Sequence, residues 1–152
     1  MGMKKFINEL KRRRYRKIKG LHHSIAFGFP IYIGGNVSVG KRTSISRYCH
    51  ILSGKNSSIR IGEDCKLAYN VHVRSITHDV NDLRHMIEAD IEIGDRVWLC
   101  NNVYVREGII IEDDSVIGAN SIVTEDVKAG SVVGGVPARL IRFKEGFTSA
   151  GM

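Results

Sequence analysis

The sequence predicts an all-β solenoid in which short strands wind into three-sided coils stacked on one another. Two observations predict it. An aliphatic residue returns at every sixth position, and a small or acidic residue often follows it, as in Gly34, Gly40, Gly62, Ala68, Gly94, Glu112 and Gly118. The aliphatic positions fall in three blocks: Ile33, Val39, Ile45 and Ile51; then Ile61, Leu67 and Val73; then Ile93, Leu99, Val105, Ile111, Ile117 and Val123. This period is neither the 3.6 of an amphipathic helix nor a sustained period of 2. Each hexad reads as one short strand and one tight corner, and three hexads make a coil. Residue i then lies beside residue i+18, about 4.8 Å away. A coil buries its apolar face only against its neighbours, so several are needed.

Taken in order, residues 1–20 stand outside the repeat. Residues 4–19 hold nine Lys or Arg against the single acid Glu9. Phe6, Ile7 and Leu10, with Arg14 and Tyr15, share one face of a helix, which makes this a short basic amphipathic segment. The rest of the chain holds 14 basic and 15 acidic residues, so the net charge of +7 is a local device. A basic groove for nucleic acid is therefore not expected. The segment suits docking on an anionic membrane surface, packing along its own oligomer, or plain solvation, and the blander readings come first.

Residues 21–144 form the solenoid domain. Its phase breaks twice: Ile51 to Ile61 spans ten positions, and Val73 to Ile93 spans twenty. The second break contains the polar run Thr77-His78-Asp79-Val80-Asn81-Asp82-Leu83-Arg84-His85, read as an inserted active-site loop at about 76–90. Loops carried on a rigid scaffold are where function concentrates. After Pro137 a strand or short helix is expected to close the last coil, and 145–152 is a tail. Four residues after each aliphatic position a small or β-branched residue recurs, with Val127 placed in that slot after Val123.

The bulk numbers agree with a single globular domain of 152 residues, 43% hydrophobic and 26% charged. Cys49, Cys65 and Cys100 are three, scattered and without C-x-x-C spacing, which fits a reducing cytoplasm. No apolar run reaches the ~18 residues of a membrane span, and no apolar stretch follows the basic N-terminus as a secretory signal requires.

The run from Ile93 to Arg142 contains Ile-Gly-Asp-Arg-Val-Trp-Leu, Val-Ile-Gly-Ala-Asn-Ser-Ile-Val-Thr-Glu-Asp-Val and Gly-Gly-Val-Pro-Ala-Arg-Leu-Ile-Arg. It resembles the maltose, galactoside and cell-surface-polysaccharide O-acetyltransferases of the hexapeptide-repeat family, over residues ~30 to 143. The resemblance implies a left-handed parallel β-helix and a homotrimer with active sites between subunits. It also implies acetyl-CoA as co-substrate, lying in an inter-subunit groove, with no resident metal. His78 matches the family's catalytic histidine. Trp98 matches a tryptophan of the acceptor site. Ala119 and Ser121 match backbone positions along the pantetheine arm, Thr124 half of a Thr-Lys pair near the cofactor, and Arg139 and Arg142 basic residues near its phosphates. Three residues depart from the pattern: Cys100 and Glu112 stand where Gly is usual, and Glu125 where Lys is usual.

The residues support this chemistry to differing degrees. Transfer of acetyl to a hydroxyl needs a base, and histidine suits that role near neutral pH. Asp79 and Asp82 either orient the imidazole or form a solvated acidic loop. Asp82 and His85 are also acceptor-binding candidates, although a loop histidine is more often simply exposed. Asn101 and Asn102 either line the cofactor groove or fill tight corners. A catalytic zinc is not expected: His72 and His78 are six apart, on successive faces, and Cys49, His50 and Cys65 add no clear ligand set. The expected activity is acetyl-CoA-dependent O-acetylation of a sugar or cell-surface glycan precursor by direct attack. The alternatives are N-acetylation of an amino-sugar nucleotide and a non-catalytic structural solenoid.

Overall fold

The computed structural model describes residues 9–10, 22, 24 and 26–148. Glu9 and Leu10 are helical. The remainder of the basic segment expected to be a helix lies outside the described residues, as does the tail beyond Thr148.

Three parallel sheets enclose one core. The first face carries Ala26–Phe27, Ser44–Ile45, Lys66–Leu67, Trp98–Leu99, Val116–Ile117 and Ser131–Gly134. The second carries Tyr32–Gly34, His50–Leu52, His72–Arg74, Tyr104–Val105 and Ile122–Val123. The third carries Asn36–Val39, Ser58–Ile61, Ile91–Ile93 and Ile110–Ile111. The chain visits the faces in that order in every coil. After Pro137 the strand Arg139–Phe143 turns back and pairs antiparallel with Ser131–Gly134, capping the end of the first face.

The register shows what the phase breaks mean. In the regular coils Ile93 pairs with Ile111 and Leu99 with Ile117, eighteen residues apart. Ile45 pairs with Leu67, so that coil carries four extra residues. Leu67 pairs with Leu99, so the next carries fourteen. Both insertions leave at the corner between the second and third faces. The last coil is two residues short instead: Ile117 pairs with Val133, and Val127 bridges Ile111. This corrects the slot expected for Val127. Shortening the corner moves it into the inward aliphatic row, where it is buried.

The inward positions form a continuous core. Ile45, Leu67, Leu99 and Ile117 stack along the first face, and Ile51, Val73, Val105 and Val123 along the second, all buried. Cys49 and Cys65 are buried thiols that donate to the carbonyls of Ala68 and Gly94, and burial pushes both up from the ordinary thiol range.

The corners need left-handed backbone, and the chain places residues there that also pair between coils. Asn70, Asn102 and Asn120 have φ of 58°, 60° and 60°, and their side-chain amides form a ladder with bonds of 3.0 and 2.9 Å. Asn tolerates this conformation better than most residues. At the corner between the third and first faces the left-handed residues alternate in charge: Arg42 pairs with Asp64 and Arg96 with Asp114. Beside them Gly62 is obligatory, since a Cβ there would lie 2.5 Å from the Gly94 carbonyl oxygen. Glu112 ends this glycine row where no full-length coil sits above it. Its carboxylate accepts from the Ala129 amide and the Lys128 ammonium, closing the shortened turn.

Candidate active site

The fourteen-residue insertion is a β-hairpin, with strands Ile76–His78 and Met86–Glu88 paired antiparallel so that His78 faces Met86. Its root is fastened to the preceding coil. Glu88 accepts the Asn56 amide (2.6 Å), and Asp90 accepts the Ser58 amide (2.7 Å). Beneath the root, Ser57 and Ser75 share a buried hydrogen bond of 2.7 Å, and both hydroxyls lie within reach of the Gly54 amide. Buried hydroxyls satisfied in this way hold a corner rigid.

The tip is held by its own polar groups. The Asp79 amide donates to the His85 carbonyl, and the His85 amide to the Asp82 carbonyl. The Asp79 carboxylate accepts the Asn81 amide at 2.8 Å. The Asp82 carboxylate accepts the Arg84 amide and guanidinium. His78 is exposed, and its Nδ1 lies 2.8 Å from the Leu83 carbonyl oxygen. A carbonyl can only accept, so in the neutral ring Nδ1 carries the proton and Nε2 presents a lone pair to solvent. That is the tautomer a base requires. The orienting acceptor is thus a backbone carbonyl, not Asp79 or Asp82. Of the two readings left open for these carboxylates, the geometry favours the loop one, since both are taken up by the turn. His85 is exposed on the return strand side of the tip.

The other candidates lie elsewhere on the prism. Trp98 stands outward on the first face between Lys66 and Val116, about half exposed. The groove beside it is lined by Arg96, Val132, Arg142 and Lys144. Asn101, Ala119 and Ser121 sit at the corner between the first and second faces. Asn101 accepts the Tyr69 amide, and Ala119 is exposed. The Ser121 hydroxyl is buried and committed internally, donating to the Gly118 carbonyl (2.6 Å) and accepting the Gly135 amide (3.0 Å). Thr124 begins the shortened corner, half-buried. Arg139 pairs with Glu125 at 3.2 Å, so the acid that replaces a lysine here neutralises one of the two expected phosphate ligands. Arg142 bonds the Phe143 carbonyl. Cys100 packs against the core, and burial pushes its thiol up.

One chain therefore does not bring the candidates together. The His78 hairpin leaves the corner opposite the first face, which carries Trp98, Arg139 and Arg142. Among the described residues, no three His, Cys, Asp or Glu side chains converge as a metal would need. The contact of the Leu83 carbonyl with His78 and the buried Ser57–Ser75 pair were not legible in the sequence. The only signal for them was their place in or beside a phase break.

Comparison with known proteins agrees with this architecture. The family model described as bacterial transferase hexapeptide (six repeats) matches residues 90–125. Galactoside O-acetyltransferase of Escherichia coli strain K12 is 35% identical over 119 residues, covering 74% of this chain and 58% of the relative. The chain thus spans about six tenths of that curated relative's length. Among solved structures, a maltose O-acetyltransferase from Clostridium difficile 630 superposes with a TM-score of 0.70 at 30% identity, covering 81% of this chain and 68% of that one. A galactoside acetyltransferase in complex with coenzyme A gives a TM-score of 0.70 at 31% identity, covering 78% and 64%. The fold is the left-handed parallel β-helix, and the chain belongs to the bacterial hexapeptide-repeat acetyltransferase family.

Proposed function

We propose that this protein transfers acetyl from acetyl-CoA to a hydroxyl group of a sugar or glycan precursor, with His78 as general base. The observation that carries this reading is the Nδ1 contact of His78 with the Leu83 carbonyl, which leaves Nε2 free to accept a proton. As the acceptor oxygen attacks the thioester carbonyl, Nε2 takes its proton. The resulting imidazolium returns that proton to the departing thiolate, so the base is regenerated. Asp79 and Asp82 hold the tip in shape around the ring. The separation of the hairpin from Trp98, Ala119, Arg139 and Arg142 favours a homotrimer in which the hairpin of one subunit meets the first face of the next. There Trp98 offers an indole face to the sugar, and Arg142 is the better placed of the two arginines to meet cofactor phosphates, since Arg139 is paired.

The test is thiol release from acetyl-CoA against neutral sugars, acidic sugars and amino-sugar nucleotides, for wild type and His78→Ala. The expected result is turnover that requires a hydroxyl acceptor and falls ~10²–10⁴-fold in the variant. Turnover on an amine that survives the substitution would replace this reading with N-acetylation. Absence of turnover together with absence of coenzyme A binding would leave a structural solenoid.

A further inference from the structure

The second face carries a feature that the acetyl-transfer chemistry does not use. Outward side chains there stack in a ribbon: Tyr32 on His50 at 4.6 Å between ring centres, His50 on His72 at 5.8 Å, and His72 on Tyr104 at 6.4 Å. His50 and His72 are register partners, and Arg74 lies two residues beyond His72 on the same outward side. A diagonal position of this kind is within reach of a long side chain. Two polar atoms in this cluster are buried and have no hydrogen-bond partner: His50 Nδ1 and Arg74 Nε. The His72 ring has one hydrogen-bond contact, Nε2 to the Asn70 side-chain oxygen at 3.2 Å.

Among the described residues Arg74 is, with Arg47 and Arg142, one of three arginines that pair with no acidic side chain, and of these it is the one with a buried donor lacking a partner. Arg42, Arg60, Arg96, Arg106 and Arg139 each pair with an acidic side chain. A buried donor without an acceptor is costly, and three cation-forming groups gathered with no carboxylate call for an anion. The groups facing His50 from the flanking strands are Tyr32 on one side and His72 and Arg74 on the other, and none is acidic. Burial, His72 and Arg74 together hold the His50 imidazole below its ordinary range.

The location gives the cluster a role. Arg74 is the last residue of its strand before the hairpin, four residues ahead of His78. Because the hairpin that begins there bears His78, the anion is assigned to the acceptor.

We propose that His50, His72 and Arg74 form an anion subsite at the root of the hairpin, and that the acceptor is an anionic sugar, bearing a carboxylate or a phosphate. Arg74 supplies a planar, permanently charged fork for the oxyanion. His50 adds Nδ1–H and gains positive charge when the anion is bound. This inference rests on the acetyl-transfer reading for the identity of the ligand as acceptor, but not for the existence of the site.

Two measurements test it. In the first, acetyl transfer is compared on galactose, galacturonate and galactose 1-phosphate, with wild type and Arg74→Gln. At least one anionic sugar is expected to exceed galactose by tenfold or more in kcat/KM. Arg74→Gln is expected to remove about tenfold or more of that advantage through KM, with the Kd for coenzyme A unchanged. The carboxylate and phosphate arms distinguish the two sources of the anion. Equal kcat/KM for all three sugars, or an advantage untouched by Arg74→Gln, would overturn the proposal. In the second, the His50 ring resonances of wild type are titrated by NMR with galacturonate and with inorganic phosphate. An upward shift of the His50 pKa that is absent in Arg74→Gln supports the subsite even if no sugar turns over, in which case only the acetyl-transfer reading fails. An unmoved His50 pKa would overturn the subsite, and dissociation of the oligomer by Arg74→Gln would then assign the donors to a carboxylate of a second copy.

Discussion

The regular coils from Ile91 to Val127 and the hairpin from Ile76 to Glu88 lie side by side and are built on opposite principles. In the coils Ile91–Ile93, Trp98–Leu99, Tyr104–Val105 and Val116–Ile117 pair with strands above and below, and Leu99, Val105, Ile111 and Ile117 are fully buried. In the hairpin two three-residue strands pair only with each other, and Val80 and Leu83 are 89% and 72% exposed. An isolated hairpin of this length does not stand alone in water. It is held by its root, through Glu88, Asp90 and the Ser57–Ser75 pair, and by the turn that Asp79 and Asp82 close. The coils therefore carry the stability, and in the proposed function the hairpin carries the base at small cost to it. Substitutions in the two regions should separate cleanly into losses of activity and losses of folding.

The largest expected effect is on the hairpin side. His78→Ala should lower kcat by ~10²–10⁴-fold and leave the urea unfolding midpoint unchanged, because the exposed ring contributes one contact. On the coil side, Leu99→Ala should cost about 2–5 kcal/mol, read as a lower urea midpoint, with kcat unchanged in the folded fraction. A midpoint shift for His78→Ala as large as that for Leu99→Ala would break the comparison. Corner substitutions sharpen it. Asn102→Ala removes both amide bonds of the ladder and leaves a left-handed residue unsupported, for about 1–2 kcal/mol. Asn102→Gly keeps the conformation available and should cost less.

The smallest expected effect is a pH dependence. The His50 imidazole is held below its ordinary value of 6.5 by burial first, then by His72 and Arg74. The unfolded chain therefore binds the extra proton more readily, so stability rises with pH in this window. The contribution is full above about 6.5 and is lost as pH falls through the lower folded pKa. Unfolding free energy measured between pH 7.5 and 5 should decline less in His50→Gln than in wild type. An equal slope in both would remove His50 as a source.

Much of the fold was legible because the hexad is a strong, long-range signal. The aliphatic rows and both phase breaks follow from spacing, and a closing element after Pro137 follows from the need to cap the last coil, although spacing left open whether it is a strand or a short helix. Val127 was misplaced because a two-residue shortening resembles an ordinary hexad interior until its register partner is known. The site was legible only by residue type. His78 and its loop stood out as a polar interruption, but the loop's pairing as a hairpin depends on local turn bonds that leave no periodic trace. The acceptor for its Nδ1 is a main-chain carbonyl, which has no sequence signature at all. Asp79 and Asp82 looked suited to orient the ring, yet nearer backbone and side-chain donors claimed both carboxylates. Glu112 and Glu125, odd against the family pattern, have local reasons: one closes the shortened corner, the other holds Arg139.

The most direct test of this division is to delete residues 76–89, which joins Ser75 to Asp90 and restores a six-residue spacing between Val73 and Ile93. The shortened coil would then match the eighteen-residue coil that follows it. The account predicts a chain that still folds cooperatively, with a urea midpoint close to that of wild type, and that releases no thiol from acetyl-CoA above background with any acceptor. Retained acetyl transfer, or failure of the deleted chain to fold, would contradict it.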